Sequence, residues 1–154
     1  MLSTVLYRLG ERLLILHMGK LAIACYEMAI NIKPDNYQAW YSKARTLRAM
    51  LRFDKAIASY EKVVQIQPDY YQAWDELGTV LKRMNRDDEA IASYKKAVQI
   101  MPDYYPGWEA LGSVLEKMNR DDEASACFQK AIELENLLYA ASAAYARGAR
   151  GNET

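Results

Sequence analysis

The chain has 154 residues, 51% of them apolar, and its 20 basic and 20 acidic side chains give a formal net charge of zero. This composition is typical of one folded domain or one repeat array, and it disfavours extensive disorder. Because nucleic-acid-binding proteins normally carry a basic excess, nucleic acid is not expected as a partner. No window approaches the roughly 18 uncharged apolar residues of a membrane helix, so no membrane partner is expected either.

The chain opens with an apolar stretch from Leu2 to Leu16, which Arg8, Glu11 and Arg12 interrupt. These charges exclude a signal peptide. The apolar side chains of this stretch fall on more than one face of the predicted helix. This indicates either that the N-terminal end pairs with another surface or that the chain is part of a longer array.

The middle of the chain repeats with a period of 34 residues, which is marked by Pro34, Pro68 and Pro102. Six residues after each proline stands a tryptophan, and an alanine and an aromatic residue follow at fixed distances. These residues are Trp40, Trp74, Trp108, Ala56, Ala90, Ala124, Tyr60, Tyr94 and Phe128. A period of this length is typical of arrays in which every unit is a pair of helices.

Two amphipathic helices are predicted within residues 71–104. Trp74, Gly78 and Leu81 are four and three residues apart, so they share one helical face, and a second stripe surrounds Tyr94. Between the two stripes lies Asn85, which tolerates the left-handed conformation that ends a helix. We expect Gly78 to let a neighbouring helix approach closely, with an aromatic ring filling the space beside it.

This pattern resembles the tetratricopeptide repeat (TPR) family. Residues 71–104 supply all eight residues of the family motif, namely Trp74, Leu77, Gly78, Leu81, Ala90, Tyr94, Ala97 and Pro102. The third and fourth predicted repeats are 71–104 and 105–138, the latter with Asn136 in place of proline. The second, 37–70, departs at Lys43 and Val63, and the first is 3–36. The resemblance implies an all-α, right-handed superhelical solenoid of antiparallel helix pairs.

Residues 139–148 are predicted to form a C-terminal capping helix of the array, followed by a tail at 149–154. Leu137, Leu138, Tyr139 and Tyr145 make this region more apolar than a solvent-facing cap should be. The sequence Asn152-Glu153-Thr154 has the letters of a glycosylation site, which we interpret as accidental.

The sequence lacks a recognisable catalytic or metal-binding constellation, so a non-enzymatic protein without metal or cofactor is predicted. His17 is the only histidine, which is too few for a hydrolytic zinc site. Cys25 and Cys127 occupy the same repeat position three repeats apart, which is too far for a disulfide. Unpaired thiols are typical of a reducing compartment and favour a cytoplasmic protein.

The resemblance implies that the first helix of each repeat lines a concave groove that binds a protein or peptide partner. The predicted binding residues are Tyr7, Arg8, Tyr41, Arg45, Arg48, Asp75, Glu76, Thr79, Lys82, Arg83, Glu109 and Ser113. Residues 37–70 carry six basic and three acidic residues, a net +3, whereas 105–138 carry three and seven, a net −4. Since guanidinium groups bind carboxylates well, we expect an acidic segment of the partner at Arg45 and Arg48.

Two grooves known in the family, the chaperone-binding carboxylate clamp and the asparagine ladder of the sugar-transferring enzymes, are not matched by the residues at the corresponding positions. The alternatives that stay open are homo-oligomeric assembly through the apolar terminal helices and an ordinary solvated surface. The tyrosines at the turns between repeats are interpreted as packing residues; they are Tyr37, Tyr70, Tyr71, Tyr104 and Tyr105.

Overall fold

The protein is an all-α solenoid, as predicted. The computed structural model describes the backbone of residues 1–151 and the side chains of residues 1–145; the Asn152-Glu153-Thr154 sequence lies outside the described residues. The helices are α1 (Leu2–Ile15), α2 (Gly19–Ile32), α3 (Tyr37–Ala49), α4 (Phe53–Ile66), α5 (Tyr71–Arg83), α6 (Asp87–Ile100), α7 (Tyr105–Lys117) and α8 (Asp121–Gly151).

The helices stack in chain order, and every helix from α2 to α7 packs on the helix before it and the helix after it. In addition, α1 contacts α3 and α5 contacts α7, so the odd-numbered helices lie side by side along one surface of the stack. One buried cluster extends from Ile23 in α2 to Cys127 in α8. The core is therefore continuous from α2 to α8, and two smaller buried clusters, around Ala29 and around Val63, lie beside it.

A glycine and a large ring meet inside three of the four helix pairs. A Cβ atom added to Gly10, Gly78 or Gly112 would lie 2.5, 2.9 or 2.8 Å from the nearest ring atom. The rings belong to Tyr26, Tyr94 and Phe128, each 16 residues further along the chain. The close approach predicted for Gly78 is thus confirmed, and contacts of this kind limit the distance between the two helices of these three pairs.

The tryptophans join neighbouring repeats by a polar contact that the sequence did not reveal. The indole Nε1 of Trp40, Trp74 and Trp108 donates a hydrogen bond to the carbonyl oxygen six residues earlier, at 2.9, 2.8 and 2.9 Å. These carbonyl groups belong to Pro34, Pro68 and Pro102, which lie between helices. Each indole therefore packs its ring into the stack and satisfies a carbonyl at the turn that proline creates.

The turn within each repeat is built around one residue in the left-handed conformation. These residues are His17, Leu51, Asn85 and Asn119, with φ between 56° and 59°. The conformation predicted for Asn85 is confirmed, because the amide of the next residue, Arg86, bonds back to Leu81 O at 3.0 Å. Asparagine tolerates this backbone, whereas a bulky residue such as Leu51 is destabilised there by about 1 kcal/mol.

The C-terminal region differs from the prediction. Helix α8 extends without interruption from Asp121 to Gly151, so residues 139–148 are not a separate capping helix and the predicted tail is helical as far as residue 151. The reason is local: Asn136 occupies the position at which the earlier repeats have a proline, and most of the following residues are Leu and Ala, which favour helix. Beyond the fourth repeat α8 projects away from the stack, with Leu137, Leu138 and Tyr139 exposed.

Replacing Gly78 by Val should lower the free energy of unfolding by about 2 kcal/mol, since the added carbons overlap the ring of Tyr94 in a filled core. Denaturant unfolding followed by circular dichroism measures the change. Ala92→Val, at an exposed position of α6, is the control and should cost about 0.5 kcal/mol through helix propensity alone. Equal losses in the two variants would contradict the packing explanation.

Candidate functional site

The twelve predicted binding residues lie on α1, α3, α5 and α7, the helices that share one surface of the stack; we call this set the groove face. Arg8, Arg45, Arg83 and Glu109 are exposed. The remaining residues are half-buried, because they also contact the second helix of a repeat or the next repeat; they are Tyr7, Tyr41, Arg48, Asp75, Glu76, Thr79, Lys82 and Ser113.

Tyr41 is the centre of an aromatic group in the second repeat. Its ring centroid lies 5.0 Å from that of Tyr70 and 5.9 Å from that of Tyr60, both in edge-on arrangements. Tyr37 packs on Tyr70 at 5.6 Å, so this turn tyrosine is a packing residue that also supports the groove face. The guanidinium of Arg45 lies 5.8 Å above the ring of Tyr41, within cation–π range.

Arg48 and Glu76 connect the basic and acidic halves that the sequence had separated. The Nε of Arg48 lies 3.1 Å from a carboxylate oxygen of Glu76 in the next repeat, and both side chains are partly shielded from water. Arg48 is thereby neutralised within the protein. Of the two arginines predicted to meet an acidic partner, only Arg45 is exposed and free to do so.

One position of the first helix distinguishes the second repeat from its neighbours. In the first repeat, the hydroxyl of Tyr26 donates to a carboxylate oxygen of Glu11 at 2.5 Å. In the third, the hydroxyl groups of Tyr94 and Thr79 are 3.1 Å apart. In the second, Arg45 occupies the position equivalent to Glu11 and Thr79, and it lies over an aromatic ring instead.

The consequence is a buried hydroxyl in the second repeat. Tyr60 is fully buried, and its Oη has no hydrogen-bond partner among the described residues. Burial raises the pKa of Tyr60 well above that of a free tyrosine, the nearby carboxylate of Glu76 raises it further, and the guanidinium of Arg48 beside the hydroxyl acts in the opposite direction. The hydroxyl therefore remains protonated, and the second repeat gives up a hydrogen bond while exposing a cation on the groove face.

Asp75 is a half-buried carboxylate in the middle of the groove face. It accepts a hydrogen bond from the hydroxyl of Tyr104 at 3.2 Å. Burial raises the pKa of Asp75 to about 6, the charge of Glu76 acts in the same direction, and the bond from Tyr104 opposes them. Further along the face, Lys82 Nζ donates to Ser113 Oγ at 2.9 Å and links the third repeat to the fourth.

The described residues include two thiols but no cluster of metal-ligating side chains. No three His, Cys, Asp or Glu side chains among them form a group that could hold a metal ion. Cys25 is half-buried and Cys127 is buried, and both are free thiols. No helix within the described part of the chain is long and apolar enough to cross a membrane.

Three tetratricopeptide repeat models match the chain consecutively, at residues 37–70, 71–104 and 105–136. A protein prenyltransferase alpha subunit repeat model matches residues 20–50, which span the end of the first repeat and the start of the second. No curated protein matches the sequence.

Several solved structures share the fold. A crystal structure of MamA matches with a TM-score of 0.85 at 23% identity, over 89% of this chain and 80% of that chain. MamA from Desulfovibrio magneticus RS-1 gives a TM-score of 0.79 at 24% identity, over 87% and 76%. MamA AMB-1 gives 0.80 at 27% identity, over 87% and 73%. These similarities show the helical-repeat architecture along nearly the whole chain.

The raised pKa of Asp75 predicts a pH-dependent effect of Asp75→Asn. The folded protein keeps the carboxyl proton up to about pH 6 and the unfolded chain loses it near pH 3.8, so Asp75 makes the wild type less stable as pH rises between these values. The variant should therefore be more stable than the wild type at pH 7, by about 1–2 kcal/mol after allowance for partial exposure.

Urea unfolding of both proteins from pH 4 to pH 8 measures this difference, which should shrink as the pH falls. Asp103→Asn, at an exposed turn position, is the control. A difference between Asp75→Asn and wild type that is the same at every pH would show that the carboxylate carries no such penalty.

Proposed function

Because the chain belongs to the tetratricopeptide repeat family, we propose that it is a non-enzymatic protein-interaction scaffold whose groove face forms a concave groove for an acidic segment of a partner protein. The observation that carries this proposal is the exposed Arg45, held over the ring of Tyr41 beside further tyrosines. An exposed guanidinium next to a preorganised aromatic group is a combination enriched at binding hot spots.

The surroundings of Arg45 support recognition of a carboxylate rather than of a cation. Arg45 itself is exposed, and no salt bridge involves it among the described residues. On the next repeat, the carboxylate of Glu76 is paired with Arg48 and neutralises the charge of Arg48. A partner carboxylate at Arg45 would therefore meet an available fork of donors, while an apolar side chain next to it packs on the tyrosine rings.

The acidic side chains further along the groove face support a defined orientation of the partner. Asp75 and Glu109 lie in the third and fourth repeats, opposite in sign to Arg8 and Arg45 in the first and second. A bound segment would accordingly place its acidic end toward α1 and its basic end toward α7. The free thiols of Cys25 and Cys127 support the further proposal that the protein works in a reducing compartment such as the cytoplasm.

A second candidate function is homo-oligomeric assembly, and one observation favours it specifically. Val5 on α1 is 59% exposed, whereas Ala39 and Ala73 at the same repeat position are fully buried by the preceding repeat. Ile132 on α8 is 57% exposed, whereas the equivalent Val98 is buried by the following repeat. The outer faces of α1 and α8 are thus two halves of an inter-repeat contact, which two copies can complete head to tail.

Arg45→Glu tests the groove. Peptides selected from a displayed random library against the wild-type chain should be enriched in Asp and Glu, and one selected peptide serves as the probe. The variant should bind it at least about tenfold more weakly, since a charge-assisted hydrogen bond is lost and a repulsion is gained. Fluorescence anisotropy measures the affinity.

Lys96→Glu is the matched control, because it makes the same charge change at an exposed position of α6 away from the groove face. Arg48 is left unchanged, since reversing it would also break its ion pair with Glu76. Equal affinity of Arg45→Glu and wild type, or selected peptides without acidic enrichment, would refute the groove proposal.

Val5→Glu tests assembly. If copies stack through α1 and α8, the wild type should be larger than a monomer at tens of micromolar, and the buried charge should return it to a monomer. Light scattering after size exclusion measures the mass, and Thr4→Glu, at a neighbouring exposed position, is the control. A wild type that is monomeric at this concentration rules out the assembly function.

A further inference from the structure

The turn of the first repeat exposes four apolar side chains, and the turn of the second exposes one, at positions where the third and fourth repeats carry mostly polar residues. We call this surface the turn edge; its residues are Ile15, Leu16, Met18, Leu21 and Leu51, all of them exposed. The equivalent positions of the third repeat hold Arg83, Met84, Arg86, Glu89 and Asn85, and those of the fourth hold Lys117, Met118, Arg120, Glu123 and Asn119. The repeat architecture therefore does not require an apolar surface here.

A cavity of about 520 Å³ opens in the turn edge, between the α1–α2 turn and the end of α3. Its walls are mostly apolar, with Leu14, Met18, Leu21 and Met50 among the lining residues, and Lys20 is the one fully charged side chain that lines it. Cavities of this size accommodate bulky side chains or small ligands.

A second cavity, of about 290 Å³, borders the next turn along the same edge. It is lined by residues 51–55, which include Leu51 beside Arg52, Asp54 and Lys55. Met50 lines the first cavity and its neighbour Leu51 the second, so the two cavities flank one turn.

Leu51 is the least favourable residue of this edge for the isolated protein. Its φ is 59°, in the left-handed region that disfavours bulky side chains, and Asn85 and Asn119 hold the same backbone in the later repeats. Its side chain is 67% exposed, so burial within the chain does not offset the strain. Strain of this kind is typical of binding surfaces, where contact with a partner compensates it.

We propose that the turn edge is a second docking surface, which binds an amphipathic helix of a partner protein that carries bulky apolar side chains flanked by acidic residues. The apolar side chains would occupy the two cavities on either side of Leu51. A helix fits better than an extended segment, because a helix satisfies its own backbone hydrogen bonds, whereas an extended backbone would leave polar groups unpaired against this apolar surface.

The charge around the turn edge supports acidic flanks on the partner. Three cations, Lys20, Arg52 and Lys55, line the cavities, against the single carboxylate of Asp54. The same excess of positive charge opposes a twofold pairing of two turn edges, since cations would then face cations.

The turn edge lies at the carboxyl ends of α1 and α3 rather than along their sides, so it is separate from the groove face and goes beyond the proposed groove function.

Leu51→Asn is the principal test, because it copies the third and fourth repeats. The probe is a 15-residue helical peptide with one stripe of leucines and glutamates on both sides of the stripe. We expect the wild-type chain to bind it and the variant to bind it at least about tenfold more weakly, measured by fluorescence anisotropy. The variant should meanwhile unfold about 2–4 °C higher, since the backbone strain is relieved.

This combination separates docking from a structural role, in which stability and binding would change together. Ile15→Arg, which copies Arg83, is a second variant and should weaken binding similarly. A peptide with lysines in place of the glutamates should bind more weakly than the original. Lys96→Glu, a charge reversal on α6 outside both surfaces, should leave binding of the original unchanged. Binding that Arg45→Glu weakens and Leu51→Asn does not would assign the peptide to the groove face, so failure of the turn edge and failure of the groove can be told apart.

Three results would overturn the proposal. The first is the absence of peptide binding to the wild type, or binding that neither Leu51→Asn nor Ile15→Arg weakens. The second is equal or tighter binding of the lysine peptide. The third is an oligomeric wild type that Leu51→Asn converts to a monomer in light scattering, which would assign the turn edge to a second copy of the chain.

Discussion

No helix pair of this protein can bury its apolar side chains alone, and the remaining structure follows from that constraint. Leu77 is buried because α5 packs on the repeat before it, and Val98 because α6 is covered by the repeat after it. At the two ends of the stack the same positions are exposed, as Leu9 and Ile132 show. The free energy of folding is therefore shared between neighbours, and any surface for a partner must lie on sides that stacking does not use.

The repeats differ most at positions whose residue type the stacking of repeats does not determine. The first-helix position that holds Glu11, Arg45 and Thr79 in the first three repeats borders the groove face, and in the first and third its side chain bonds to the tyrosine of the second helix. A residue that bonds inward, as Glu11 does to Tyr26, completes the interior. Arg45 instead lies over Tyr41 and leaves the hydroxyl of Tyr60 unpaired. The second repeat thus gains an exposed cation at the expense of an interior hydrogen bond.

The sequence predicts the repeats well because their packing residues are large, small or rigid at fixed spacings. The contact between Gly78 and Tyr94 and the left-handed turn at Asn85 both follow from residue type and position. The continuation of α8 also follows from residue type, since Asn136 interrupts the series of prolines and leaves no helix breaker at the end of the fourth repeat. Pairings between repeats, such as Arg48 with Glu76, were not foreseeable, because periodicity places a side chain on a face without fixing its direction.

A departure from the repeat pattern indicates function only where the structure supplies no internal partner for it. Lys43 replaces the leucine of the motif, yet its amine pairs with Glu27 at 2.9 Å and lies 5.3 Å above Trp40, so this departure is absorbed by packing. Arg45 and Leu51 have no such compensation: one is an exposed cation and the other an exposed apolar residue on strained backbone. Both lie in the repeat that matches the motif less well than the third, which fills every motif position. The surfaces proposed for partners are therefore those where the chain gives up internal stability.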